Sequence, residues 1–294
     1  MISIEDFIED IVGKAMRGHK ISVQDLAADS GASSTSIAQL LEGKVDEATI
    51  TSIAPHLDLD PQSLIIAGRK SWYPEPVNIK GLEMYNTKWA DMYVNSYLVW
   101  DSSKSIATAF DTGANSKQLI ETVHSNDLTL ESIYLTHTHT DHIADLARLK
   151  SSFPSIRIYV SKKEPIKGAE LIEDEHNFSI GSLSVRSHLT WGHSKGGLTY
   201  VINGLERPIA IVGDALFAGS MGGGVVSYVD ALKTNRKYIF TLPDHTVICP
   251  GHGPMSSIGE EKKNNPFYPE FKKKINIPNH ESKNWICRNW AHGR

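Results

Sequence analysis

The densest chemistry in this 294-residue chain is the run Thr136-His137-Thr138-His139-Thr140-Asp141-His142, three imidazoles and a carboxylate within six residues. Imidazole and carboxylate together suit zinc, iron or manganese. His137 and His139, two apart, can chelate one ion. Asp141 and His142 can face a second. The chain holds 13 histidines in all, so three in six beside a carboxylate exceed what chance placement gives.

Such side chains need rigid mounts, and the pattern around them supplies one. The run follows a short apolar strand, Ile133–Leu135. Three more turns after strand-like segments carry metal-binding residue types. Trp191-Gly192-His193-Ser194 follows Val185–Leu189, and Val212-Gly213-Asp214-Ala215 follows Ile209–Ile211. Pro250-Gly251-His252-Gly253-Pro254 follows Val247–Cys249. Glycine beside a ligand lets the backbone approach an ion closely. A lone Gly-His or Gly-Asp is usually only a turn; the set in this order is a strong signal.

The surrounding elements alternate. Strands are expected at Tyr93–Trp100, Ser105–Phe110, Ile156–Val160, Asn177–Ile180, Ser184–Leu189, Leu198–Ile202, Pro208–Val212 and Thr246–Cys249. Helices are expected at Asn115–His124, Ile143–Lys150 and Tyr228–Leu242.

The HxHxDH motif at 137–142, Gly-His at 193, Gly-Asp at 214 and Gly-His-Gly at 252 together resemble the metallo-β-lactamase superfamily. The resemblance implies an α/β chain folded as an αββα sandwich over residues 80–265, with metals at one edge. It implies that His137, His139 and His193 hold one ion, that Asp141, His142 and His252 hold the other, and that Asp214 bridges them. Asp111, in Phe110-Asp111-Thr112-Gly113, matches an early motif that supports the site from behind its ligands. Two divalent cations are implied, zinc first, with iron or manganese open. The segments GDALFAGSMGGG, LPDHTVICPGHGPM and IGEEKKNNPF are most similar to the glyoxalase II-like branch. Two departures put glutathione thioesters in doubt: Gly219-Ser220-Met221-Gly222 replaces a Cys-Gly-Arg-like loop, and a long helical C-terminal domain has no counterpart. Asp214 stands where some antibiotic-cleaving relatives have cysteine. Cys249 reads as core.

Two cations would bring a water's pKa near neutrality and make hydroxide available. Asp141 would orient that nucleophile, and Asp214 would fix the metal separation. The expected reaction is hydrolysis of a thioester or related ester carried by a small, anionic substrate. Lys195, Ser220 and Met221 are candidate substrate contacts, and Tyr228 reads as core-facing. Two alternatives stand beside this: a mononuclear-iron persulfide dioxygenase-like enzyme, separable by metal content, and a metal-responsive DNA-binding regulator. Phosphodiester cleavage of RNA lacks an accessory nucleic-acid-binding domain.

The regulator reading comes from residues 1–70, expected as an all-helical domain. Ile4, Phe7, Ile8, Ile11 and Val12 form a helical stripe. Ser22 with Asp25 suits a capped helix start and Gly31 its stop. Further helices are expected at Ser33–Leu41, Asp46–His56 and Pro61–Ala67. The stretch SVQDLAADSGASSTSIAQLLEGK resembles the helix-turn-helix of Cro/phage-repressor-type regulators. Its exposed residues on the second helix are Ser33, Ser34, Thr35, Ser36 and Gln39, none of them cationic. Residues 1–70 carry 11 acidic and 6 basic side chains, a net of -5. Phosphate neutralisation needs cations, so nucleic acid is disfavoured, and docking or homo-oligomerisation is the expected role.

Ser71–Pro76 opens a linker over 71–79. Residues 266–294 form a basic, aromatic tail with Lys272–Lys274, Trp285 and Trp290. It could bind nucleic acid or an anionic surface, or the acidic helical region of a second copy; a solvated segment anchored by its tryptophans is the simpler reading. The whole chain carries a net charge of -4, which excludes a globally basic nucleic-acid binder. No apolar run approaches the ~20 residues of a membrane span. The acidic start and two cysteines suit a reduced, cytoplasmic setting.

Overall fold

The computed structural model describes residues 1–272. The expectations placed on Lys273, Lys274, Trp285, Trp290 and Cys287 lie outside the described residues.

Five helices open the chain: α1 (Ile8–His19), α2 (Val23–Ser30), α3 (Ser34–Leu40), α4 (Glu47–Ile53) and α5 (Pro61–Gly68). Their ends follow from local hydrogen bonding. Ser22 Oγ accepts from Asp25 N, and the Asp25 carboxylate accepts from Ser22 N, so α2 starts in a capping box and stops at left-handed Gly31. Helix α1 starts four residues later than its apolar stripe suggests. The Asp10 carboxylate accepts from Phe7 N at 3.0 Å and fixes the start there. The residues before it form no helix, and Tyr73 Oη donates to Ile2 O at 2.7 Å. The helix expected over 46–56 is cut by Pro55, which lacks the N–H a continuing helix needs. A single tight turn, Ala54–Leu57, follows instead.

The rest is two packed sheets. The first runs β1 (Leu82–Trp89), β2 (Met92–Asp101), β3 (Ile106–Phe110), β4 (Thr129–Tyr134), β5 (Arg157–Ser161) and β6 (Glu170–Ile172), in that spatial order. Helices α6 (Lys117–Ser125) and α7 (Leu146–Ser152) connect its parallel strands. The second sheet contains β7 (Asn177–Ile180), β8 (Leu183–Leu189), β9 (Leu198–Asn203), β10 (Ile209–Gly213), β11 (Val247–Pro250) and β12 (Ser256–Ser257), in the same running order. Helices α8 (Tyr228–Thr234) and α9 (Ile258–Asn264) belong to its outer side.

Alternation along each strand sorts side chains into layers. On β10, Ile209 and Ile211 face the core between the sheets, with Tyr97, Phe110, Tyr134, Tyr200 and Cys249. Ala210 and Val212 face the opposite way. The outer face of the first sheet, including Leu98, Ala107 and Ile133, packs against Leu119, Val123 and Leu149. These layers are the αββα sandwich. The outer face of the second sheet shares one apolar cluster with α8, α9 and all five N-terminal helices, Ile8 through Ile65. The helix expected over 228–242 is α-helical only to Thr234. It then widens at Asn235, whose side-chain amide donates to Ala215 O and Tyr268 Oη. Among the described residues no helix is long and apolar enough to cross a membrane.

Candidate metal centre

The strand ends aim the sequence-marked side chains at one place. One donor atom each from His137, His139, His193 and Asp214 lie within 4.8 Å of one another, and so do those of Asp141, His142 and His252. Asp214 sits between the groups. Its Oδ1 is 3.3 Å from His142 Nε2, and its Oδ2 is 3.3 Å from His193 Nε2 and 3.4 Å from His252 Nε2. Asp141 Oδ2 reaches His252 Nε2 at 3.3 Å and His142 Nε2 at 3.5 Å.

The outward ring nitrogens fix the tautomers. His142 Nδ1 donates to Asp111 Oδ2 at 2.8 Å, His193 Nδ1 to Gly223 O at 3.0 Å and His252 Nδ1 to Tyr93 O at 2.6 Å. Thr136 Oγ1 donates to Asp111 Oδ2, so His137 Nδ1, 3.0 Å from that hydroxyl, must be the donor between them. Each of the four rings, when neutral, therefore turns its Nε2 lone pair inward, the tautomer that metal ligation requires. His139 presents Nδ1 instead, 2.9 Å from His193 Nε2. Nitrogens that close need a proton or a cation between them.

A fit to metal ions is visible in what the protein leaves unpaired. His137 Nε2, His142 Nε2 and Asp214 Oδ1 are buried without hydrogen-bond partners. Buried polar atoms without partners are costly, and divalent cations would satisfy all three. The charge balance agrees. Burial disfavours the charged ring of His142, but Asp214 and Asp111 outweigh it and push its pKa up to about 10. Burial likewise opposes the charge on His252, and Asp214 with Asp141 raises it to about 11. His137 goes the other way, held well below the usual range by burial and then by the neighbouring rings. Burial works against ionised Asp214, yet His252 and His142 hold its carboxyl well below the ordinary value. The pocket thus concentrates positive charge around its carboxylates in a space suited to dications.

Gly251 is needed for this closeness. A Cβ there would lie 2.1 Å from Asp214 Oδ1 and 2.6 Å from His142 Cε1. The His252 loop is held across the sandwich by β2. Asn95 N donates to Gly251 O, Asn95 Nδ2 to Pro250 O and Gly253 O, and Tyr97 Oη to Pro250 O.

The candidate substrate contacts fare differently. Lys195 is exposed beside His193. Ser220 and Met221 are buried and do not line an open mouth. Ser220 Oγ donates to Asp6 Oδ2 at 2.6 Å, and Met221 O accepts from Lys14 Nζ at 2.9 Å. The N-terminal segment covers that loop, a contact across more than 200 residues that no local pattern encodes. The same segment brings Glu5 to the His252 loop: a Cβ at Gly253 would lie 3.3 Å from Glu5 N. Burial raises the Glu5 carboxyl pKa against the pull of His252. Glu5, Asp6, Lys14 and Asn95 carry no local motif that marks them. Tyr228 and Cys249 are buried in the core. Lys272 Nζ donates to Lys262 O and Asn265 O.

A profile of the metallo-beta-lactamase superfamily matches residues 89–252. The chain belongs to this superfamily, and it is a metallo-hydrolase of that fold. It is 31% identical over 199 residues to a probable metallo-hydrolase of Streptococcus pyogenes, spanning 58% of this chain and 84% of that one. It is 27% identical over 201 residues to the hydroxyacylglutathione hydrolase GloC of Haemophilus influenzae, spanning 59% and 92%. Among solved structures, the BLEG-1 B3 metallo-beta-lactamase superposes with a TM-score of 0.54 at 27% identity, covering 63% of this chain and 99% of that one. ETHE1 from Myxococcus xanthus shares the fold with a TM-score of 0.56 at 24% identity, covering 64% and 85%.

Proposed function

We propose that this chain hydrolyses thioesters or related esters with a pair of divalent ions, zinc foremost. The observation that carries the reading is the donor set: five imidazoles and two carboxylates converge in two groups that share Asp214. His137, His139 and His193 would hold one ion, Asp141, His142 and His252 the other, and Asp214 both. Nitrogen and oxygen donors in this ratio suit zinc, and a relative in Bacillus velezensis is a probable polyketide biosynthesis zinc-dependent hydrolase. The likeness to a hydroxyacylglutathione hydrolase favours a thioester.

When bound, such ions lower the pKa of water and polarise a carbonyl oxygen. The chain's own residues do the rest. Asp141, less buried than His142, accepts a hydrogen bond from an attacking water and orients it. Asp111 keeps His142 and, through Thr136, His137 in the ligating tautomer. The buried walls formed by Thr136, Ser194 and Thr190 keep bulk water from the rear of the site.

The test is elemental analysis of the purified protein together with a screen of thioesters, lactones and phosphodiesters. We expect two metals per chain and thioester turnover, both lost in Asp214→Ala and His139→Ala. Full activity in either variant overturns the assignment. One iron per chain with oxygen consumption on a persulfide overturns the hydrolase.

A further inference from the structure

The superfamily match spans residues 89–252, and α1, outside it, is seated beside the metal donors. Two glycines make the seat. A Cβ at Gly18 would lie 2.3 Å from Cγ of the Tyr228 ring, and one at Gly224 would lie 2.3 Å from Tyr228 Cα. Helix, glycine loop and α8 therefore pack with no room for a side chain at either position. Lys14 Nζ ties α1 down by donating to Met221 O. It also lies 5.1 Å from the centre of the Phe217 ring, whose edge-on partner is His252 at 5.7 Å.

A cavity of about 300 Å³ remains between the two. Lys14, Arg17 and Gly18 line one side, and Gly223, Gly224 and Val225 line the other. The same glycine loop touches the metal site on its far face. Gly223 O holds His193 Nδ1, and a Cβ at Gly222 would overlap Asp214 O at 1.8 Å. The cavity and the ligands are thus one backbone apart.

The charges in this cavity are not equivalent. Lys14 is paired with Asp6 and nearly buried. Arg17, one turn further along α1, is exposed and makes no ion pair among the described residues. A guanidinium is the side chain best suited to grip a carboxylate or phosphate through paired N–H donors.

We propose that the cavity between α1 and the glycine loop seats the thiol carrier of the substrate and that Arg17 binds an anionic group on it. This deepens the hydrolase reading above and rests on it. It places substrate selection in the N-terminal helices, where no local motif marks a pocket. Lys195, on the loop after His193, stays outside this cavity.

The experiment uses the full-length, metal-loaded protein and one acyl group on three carriers. Glutathione offers carboxylates, coenzyme A offers phosphates, and N-acetylcysteamine offers neither. For Arg17→Ala we expect KM to rise about tenfold on at least one charged carrier, as loss of a charge-assisted hydrogen bond implies. We expect kcat to stay within about twofold, Arg17→Lys to recover part of the loss, and the neutral thioester to be unaffected. The carrier that loses affinity tells carboxylate from phosphate. Unchanged KM on both charged carriers, or an equal rise on all three, overturns the proposal. If the wild-type protein hydrolyses none of the three, it is the thioester reading that fails. Binding of free glutathione and free coenzyme A by calorimetry then decides the cavity: weaker binding of either in Arg17→Ala upholds it, and equal binding of both overturns it.

Discussion

Asp111 Oδ2 accepts a 2.8 Å hydrogen bond from His142 Nδ1, and it does so from a left-handed backbone with φ of 57°. That conformation is uncommon outside glycine. It lets one carboxylate serve three donors: Oδ1 takes Thr136 N, and Oδ2 takes both Thr136 Oγ1 and His142 Nδ1. Two of the converging rings, His137 and His142, are therefore oriented by a residue outside both donor groups.

Asp111→Asn isolates that role, since asparagine tolerates the left-handed backbone. Its amide group must face either Thr136 N–H or the His142 ring. In the second case the ring has to carry its proton on Nε2 and loses its inward lone pair. Metal affinity should fall by about 10- to 100-fold, with the fold intact by circular dichroism. Chelator competition measures it; unchanged affinity would show that the hydrogen bond is dispensable.

Gly251→Ala tests the steric requirement without altering a ligand. The new methyl must displace the Asp214 carboxylate or the His142 ring. The variant should bind less than its full metal complement and lose most of the rise in melting temperature that metal gives the wild type. Normal metal content by mass spectrometry would refute the clash.

Metal loading should release protons. With His142 at about 10 and His252 at about 11, both rings are protonated at pH 7.5 in the metal-free protein. Ligation needs both neutral. About two protons should leave as the Asp141, His142 and His252 group takes its ion, since both raised rings belong to it, and affinity should fall as pH falls. Titration calorimetry in buffers of different ionisation enthalpy reads the number directly, and zero release would contradict the charge state.

Glu261 gives a separate pH effect, away from the ligands. It is fully buried, accepting from Gly219 N and Asn265 Nδ2, and burial raises its pKa from 4.5 to about 7. A raised carboxyl pKa means that the folded state holds the proton longer than the unfolded chain. Its contribution is intact below about pH 4.5, is lost as pH rises to about 7, and stays lost above. Glu261→Gln should be flat over this range. Its melting temperature should gain a few degrees on the wild type between pH 5.5 and 8.5, measured on loaded protein. A pH-independent difference would count against the buried ionisation.

The sequence by itself determined the donors. Each lies in a turn directly after an apolar strand, and histidine or aspartate beside glycine at a strand end is a local pattern. It also determined most of the strands and the caps of α2, because alternation and capping are set by neighbours in the chain. The short edge strands β6 and β12 carry too few residues to show a period, and Pro55 and Asn235 broke helices that the apolar pattern alone extends. Tertiary structure decided what no local pattern can encode. Which ring nitrogen faces inward depends on Asp111, Tyr93 O and Gly223 O, each at least 30 residues from the histidine it orients. Ser220 and Met221 became core instead of a mouth because Asp6 and Lys14, more than 200 residues earlier, close over them. Contacts across such separations arise only when the two sheets stack and α1 settles on the outer face of the second.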